Sequence, residues 1–485
     1  MRKTSKTLLL ALGISLAGTS AAWAQQDPNG DGVWSLLEAV EYAKVNNLQV
    51  RQSGLNRKIN EIDYRQAQFN RFPILNGNGS YYFNTGSFQD PVTFSVQNQE
   101  AQTANLSASA SVPLFQGFSL TNQVKQNKLE LEASHQDVLS AQNDITIQIV
   151  TSYLNILFAD ELIKTSELQR EATTQQLERT RKLFEAGSVA ENSVLDLESQ
   201  LATDELNLIN AVNQRDIARL NLMQLLNVQA HDDFAIEIPE LPEPDEDPTI
   251  LEGPQVYDAA VQTLPAIKAA DLRVRSSEKG VDVARGAYFP RLSFGAGISS
   301  RYNNTAQFAI AENFIFVPQD LYLNQEGTNK QTVYFRQRSL LYDDYSFTDQ
   351  MKDNVGKQFG FNLSIPIFNG FQARNNVQRA IVSQENAALN ADIARNNLRQ
   401  TIEQAQVDAV AARRKYIAAK EQVRATERNV RNAELRLNSG IINSVEYVIV
   451  ANTFRGAQSE LLQSKYEYIF KLKVLDFYQG KDISF

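Results

Sequence analysis

Along most of the chain, apolar residues recur every three or four positions, and in four short stretches they recur every two. The longer period is plainest in Ile402, Ala405, Ala409, Ala412, Tyr416, Ala419, Val423, Thr426, Val430, Ala433 and Leu437. Steps alternating between three and four make a 3.5-residue repeat, which predicts a coiled coil. The first half keeps the phase 253 residues earlier with Ile149, Ile156, Ile163, Leu177 and Phe184, broken by Arg170. Neither Gly nor Pro interrupts 119–186 or 372–439, each 68 residues long. Each stretch therefore predicts one helix of about 100 Å. The chain is expected to reverse at Gly187 and Gly440, and further helices return from about Ser193 to Asn227 and from about Ser444 to Gln479.

The period-two stretches read as strands. Leu75, Gly77, Gly79, Tyr81 and Phe83 alternate with small polar residues, as do Ala104, Leu106, Ala108, Ala110, Val112 and Leu114. Leu292, Phe294, Ala296 and Ile298 repeat the pattern, followed by Phe359, Phe361, Leu363 and Ile365. Strands of about ten residues with one apolar and one polar face suit a soluble antiparallel sheet or a transmembrane barrel. Aromatics favour the barrel: Phe115, Phe118, Phe368 and Phe371 mark one end of the strands, and Tyr81, Tyr82, Phe83 and Tyr302 the other, as two interfacial belts would. A sheet in lipid can have no open edge, and four strands are too few to close one. Two copies would close eight strands around a filled interior, and three would close twelve around a channel.

Self-comparison shows one unit written twice. Val112-Pro-Leu-Phe-Gln-Gly-Phe118 matches Ile365-Pro-Ile-Phe-Asn-Gly-Phe371, again at an offset of 253, whereas Phe72-Pro73 and Phe289-Pro290 match at 217. The second copy thus carries 36 extra residues, within 303–357, rich in Phe and Tyr and expected to form a long loop at the outer mouth of the barrel. The predicted organisation is a signal peptide over 1–24, a first repeat over 25–238, a Pro-rich acidic linker over 239–254 and a second repeat over 255–485.

Composition narrows the function. Arg2, Lys3 and Lys6 precede an apolar run and the small-residue site Ala22-Trp23-Ala24, so export is expected. The net charge of −9, which becomes −12 without the leader, argues against a nucleic-acid partner. The absence of cysteine removes disulfides and a lipid anchor at Cys. His135 and His231, the only two histidines, sit in polar helical surroundings and read as solvated. With no phosphate-binding Gly loop and no nucleophile elbow, an enzyme is not expected, nor a cofactor. One metal pattern stands out: Asp27, Asn29, Asp31 and Glu38 carry the oxygen spacing of a calcium-binding EF-hand loop. Cleavage after Ala24 would leave no incoming helix, so the favoured reading is a turn-rich tether, with weak calcium binding the alternative.

Taken together, the opening segment Trp34-Ser-Leu-Leu-Glu38-Ala39, the two PxFxGF junctions and the paired glycine-tipped hairpins resemble the TolC family of outer-membrane factors, across essentially the whole mature chain. The resemblance implies an α+β membrane protein: a homotrimer whose 12-stranded β-barrel, four strands per chain, sits in outer-membrane lipid and continues as a periplasmic α-helical coiled-coil barrel. It implies an exit duct of a tripartite efflux or type I secretion system, with a periplasmic adaptor protein meeting the hairpin tips at Gly187, Ser188, Gly440 and Ile441, and an inner-membrane transporter beyond. In the family an acidic residue six positions after the second tip glycine helps build a carboxylate ring that constricts the tunnel and favours cations; here it is Glu446. The second acidic position is Ile449, and the related site of the first copy carries Asp196. The family's tyrosine and arginine latch falls on Leu437 and Ile442 and is not expected here. A secreted or periplasmic structural coiled coil is the alternative function, and it leaves the four strands unexplained.

Overall fold

The computed structural model describes residues 33–89, 96–229, 234–239, 243, 253–322, 327 and 330–481. The expected signal peptide, the residues Asp27, Asn29 and Asp31, and most of the expected linker lie outside them. The chain divides into two compact units, each drawing on both halves of the sequence: Met1–Gly54 with Asp137–Pro265 and Arg395–Phe485, and Leu55–Gln136 with Ala266–Ala394. No described helix is long and apolar enough to cross a membrane.

The first unit is built from helices. A short strand β1 (Val33–Trp34) pairs in parallel with β4 (Ala235–Ile236) and leads into α1 (Leu36–Asn46). Ser35 and Glu38 form a capping box there: the Ser35 hydroxyl accepts from the Glu38 N–H at 3.3 Å, and the Glu38 carboxylate accepts from the Ser35 N–H at 3.1 Å. That carboxylate is the last oxygen of the calcium-like spacing, so its place in the structure is a helix cap. Two further elements enter this unit: α2 (Leu48–Phe69) at its start, and α3 (Ser119–Glu185), a single helix of 67 residues, from Asp137 onward. Ile149, Tyr153 and Ile156 of α3 pack with Trp34, Ala39 and Ala43, and with Leu222 and Leu226 of α4 (Glu191–Leu226). Full burial of each large side chain contributes about 1.5–3 kcal/mol. Tyr153 donates its hydroxyl proton to the Glu237 carbonyl at 2.5 Å, which ties α3 to the β4 segment. Asn47, between α1 and α2, donates to the Leu225 carbonyl at 2.8 Å and so satisfies an end of α4.

The second half supplies α5 (Gly253–Thr263), α8 (Gln372–Asn438), again 67 residues long, and α9 (Ser444–Tyr478). The 3.5-residue seam of α8 is its buried edge: Ile402, Ala409, Ala412, Tyr416, Ala419 and Ala433 are all buried. In α3 the corresponding seam is buried at Ile149, Ile156, Ile163 and Leu177, but Phe184, next to the tip, is 41% exposed. Glu243 of the acidic segment is pinned to these helices. It accepts from the Tyr416 hydroxyl at 2.7 Å and lies 3.6 Å from Lys465, and the Tyr416 hydrogen bond holds its carboxyl below the usual range.

The second unit carries the strands. β2 (Ile74–Gln89), β3 (Val96–Gln116), β5 (Arg291–Asn303) and β8 (Gly356–Ser364) form an antiparallel sheet in the order β2-β3-β5-β8. Register carries the expected alternation across all four: Leu75, Ala110, Ala296 and Phe359 share one row and one face, and Asn76, Ser109, Gly297 and Gln358 form the next row on the other. The apolar face is open to solvent in the single chain, with Leu75 79%, Phe359 79% and Phe361 71% exposed. At the base of the sheet, α2, the first part of α3 and α6 (Pro265–Arg285) pack together; Ser276 of α6 donates to the Gln126 carbonyl and Asn127 to the Asp63 carbonyl.

The described residues of the segment expected to be a long loop form regular elements. β6 (Gln307–Tyr322) and β7 (Lys330–Asp344) form a two-stranded antiparallel ribbon, and a short helix α7 (Phe347–Asp353) follows. α7 is clamped to β5 by Gln350, 1% exposed, whose amide donates to the Asn303 carbonyl and accepts from the Asn303 N–H, both at 2.9 Å. The insertion has no counterpart in the first half against which its strands could be recognised, and its alternation is interrupted by a register shift between Ala309 and Ala311.

Candidate functional site

Both helical hairpins reverse through the same backbone motif. The Gly187 N–H donates to the Phe184 carbonyl and the Ser188 N–H to the Leu183 carbonyl, both at 2.8 Å; Gly440 and Ile441 repeat this onto Leu437 and Arg436 at 3.0 and 2.9 Å. This is the Schellman closure, which needs a left-handed residue, and the two glycines adopt φ of 72° and 71°. Ser188 is exposed and Ile441 is 66% exposed, so both tips present side chains to whatever lies beyond them.

From the second tip, α9 starts with Asn443 as its cap, whose side chain accepts from the Glu446 N–H at 2.9 Å. Glu446 thus stands in the first turn, where the helix dipole favours a carboxylate. Two residues on, Val448 packs against Leu177, Val194 and Leu197 of the first hairpin. Two helical steps are about 200°, so Glu446 is turned away from that contact, and its side chain is exposed. Ile449, three residues after Glu446, shares its face and is 60% exposed. Asp196 lies on α4 beside Leu197 and is half-buried. At the two latch positions Ile442 is buried, at 8% exposure, and Leu437 is half-buried; both are apolar.

A charged connection between the hairpins occurs deeper, where the sequence reading did not place one. Asp204 of α4 is 2% exposed and accepts from Thr173 of α3 at 2.6 Å and from Gln200 at 2.8 Å. Arg455 of α9 lies 3.5 Å from the same carboxylate and donates to Asn452 at 2.6 Å, and Asn452 donates to Gln200 at 2.9 Å. Burial draws the Arg455 guanidinium down from its usual range, while the Asp204 charge acts in the opposite direction. The cluster lines a cleft of about 470 Å³ together with Asn207, Asn210 and Ser459. It links three helices, α3, α4 and α9. The sequence did carry a sign of it: Leu197, Asp204, Ala211 and Ala218 are spaced by seven, which puts a carboxylate at a seam position.

The family model for outer membrane efflux proteins matches residues 39–228 and 256–480. The chain is 22% identical over 471 residues to the outer membrane protein TolC of Escherichia coli K12, covering 96% of this chain and 84% of that protein. Among solved structures, the CmeC outer membrane channel of Campylobacter jejuni matches with a TM-score of 0.72 at 16% identity, over 92% of this chain and 85% of that one. The outer membrane protein VceC of Vibrio cholerae matches with a TM-score of 0.71 at 14% identity, over 93% and 97%.

Proposed function

The chain belongs to the outer membrane efflux protein family, whose members are outer-membrane exit ducts, and from that premise we propose how this one is assembled and gated. Three copies close a 12-stranded barrel in outer-membrane lipid, and their helices continue it as a periplasmic coiled-coil tube. Each copy contributes two repeats, 25–238 and 255–485, joined by the 239–254 linker, after removal of 1–24. The tips at Gly187, Ser188, Gly440 and Ile441 meet a periplasmic adaptor that connects the duct to an inner-membrane transporter. Three copies of Glu446, with a minor contribution from Asp196, constrict the tube.

The observation that carries this reading is the four-stranded sheet. Among the described residues, β2 and β8 each pair on one side only, yet a continuous apolar face crosses all four strands. Such a face calls for lipid, and lipid forbids the open edges, so further copies must close the sheet. The helices point the same way. On α2 the exposed residues Leu55, Ile59, Ile62 and Phe69 fall at steps of four, three and seven, and on α8 Val382, Leu389 and Ile393 do likewise. These are coiled-coil stripes left exposed among the described residues of the single chain.

Fractionation tests the reading directly. The protein is expected in the outer membrane as an oligomer of three chains that survives detergent and dissociates on boiling. Recovery as a soluble periplasmic monomer would favour the structural coiled coil instead.

A further inference from the structure

The β6–β7 ribbon is two-faced. Its register puts Phe314, Phe316, Asp320, Lys330, Arg336 and Arg338 on one side, where Arg336 stacks 3.6 Å over the Phe314 ring and Asp320 pairs with Lys330 and Thr332. The other side carries Ile315, Val317, Leu321, Val333, Phe335 and Leu341, interleaved with Gln319, Gln331 and Gln337. Among the described residues from 313 to 341 no charge falls on that side, whereas the four charges Asp320, Lys330, Arg336 and Arg338 all fall on the first. Ile315 is 46% exposed, Phe335 47% and Leu341 56%, so the uncharged face is uncovered in the single chain.

A ribbon of two strands, here about 50 Å long, is not stable in water by itself and needs a third layer. The chemistry of the uncharged face selects what that layer is. Three glutamines among six apolar residues do not suit hydrocarbon, where each amide would lose its hydrogen bonds, but they suit a protein interface with a mixed core. The base of the ribbon narrows the choice further. It rises from β5 and returns through α7 into β8, the strand whose outer edge a second copy must pair. Closing the sheet therefore brings the ribbons of all copies to one rim.

We propose that the ribbons of neighbouring copies pack on one another through these uncharged faces, turned toward the common axis, and form a collar over the outer mouth with the charged faces outward. The proposal rests on the closed multi-copy barrel described above. It assigns to the insertion a second subunit interface, separate from the barrel seam.

Because the chain has no cysteine, single-cysteine variants report one position each. Phe335→Cys and Val333→Cys, assembled in the outer membrane and treated with a short bis-maleimide, are expected to give covalent dimers in more than half of the chains. Phe316→Cys on the charged face, 64% exposed, is expected to give few. The unboiled oligomer band is read in the same samples. An intact band with no dimer at Phe335 and Val333, or with equal dimer at Phe316, overturns the collar and leaves the barrel standing; loss of the band in the parent protein overturns the barrel reading itself. Protection of Phe335→Cys from a bulky maleimide in bilayers but not in detergent, without dimer formation, assigns the face to lipid and likewise overturns the collar.

Discussion

At the residue scale, the junction from strand to long helix uses the same strained pair twice. Gly117 and Phe118 adopt φ of 59° and 62°, and Gly370 and Phe371 adopt 61° and 63°. A phenylalanine in the left-handed region costs about 1–2 kcal/mol, and its surroundings have to hold it there. For Phe118 those surroundings are visible: its ring sits edge-on to Phe115 at 5.2 Å and to Phe289 at 6.4 Å. Gly117 is equally confined, since a Cβ there would stand 2.4 Å from the Gly286 carbonyl oxygen and 2.7 Å from the Phe289 Cβ. Around Gly370 a Cβ would meet nothing within 4 Å of its own chain. The difference follows if Gly370, just beyond the free edge strand β8, is confined by the next copy. Gly117→Ala, which combines a left-handed alanine with overpacking worth about 1–3 kcal/mol more, is expected to impair the fold of the chain itself. Gly370→Ala is expected to leave the chain folded and protease-resistant but to reduce the boil-sensitive oligomer. Equal loss of chain fold in both variants would contradict this division.

At the scale of elements, the packing of α3, α4 and α9 combines the apolar contact at Val448 with one part-buried ion pair. Truncating Asp204 to Ala leaves Arg455, whose side chain is 19% exposed, without its carboxylate, so a loss of about 2–3 kcal/mol is expected, below the cost of a fully buried pair. Replacing both, as Asp204→Leu with Arg455→Met, is expected to restore most of it, since an apolar pair of similar volume avoids the desolvation cost. Unfolding followed by the fluorescence of Trp34, 2% exposed in the same unit, measures both variants, and a double variant no better than Asp204→Ala would count against the pair as the cause. This cluster also marks where the sequence stopped being legible. The seam from Ile402 to Ala433 was readable because every member but Thr426 is apolar and the period does not slip. Asp204 holds a seam position too, but a lone acid in a helix reads as a solvated surface group until its partners are known, and those partners lie 31 residues away at Thr173 and on another helix at Arg455. The four sheet strands were readable from their alternation and their two matched junctions. The β6–β7 ribbon had no matched copy, and its phase is offset by an irregularity, so only its aromatic content could be seen. Phe184 shows the opposite limit: it keeps the seam's phase, yet it sits in the last turn before the tip and its ring is 41% exposed.

At the scale of the whole molecule, what passes through the duct is set by the narrowest ring of side chains, and three facts bear on Glu446 as that ring. It is exposed, it stands in the first turn of α9 under the Asn443 cap, and the packing of Val448 turns it away from the hairpin core. In the proposed three-fold assembly three Glu446 carboxylates would converge, with Ile449 on the same face forming an apolar ring beside them where the family places a second acid. A single ring in a wet lumen is worth about 0.5–1 kcal/mol per carboxylate toward a bound cation, so its removal is expected to weaken block by divalent cations roughly 10- to 100-fold. Glu446→Ala is also expected to raise single-channel conductance by widening the tube, whereas Glu446→Gln keeps the width and loses only the charge effect. Asp196→Ala, half-buried on α4, is expected to change block little. Conductance and cation titrations on the purified oligomer in planar bilayers read all three variants. If Glu446→Ala leaves both quantities where they were, the constriction lies elsewhere, and the Asp204–Arg455 connection that holds α9 against the first hairpin becomes the next place to open the tube.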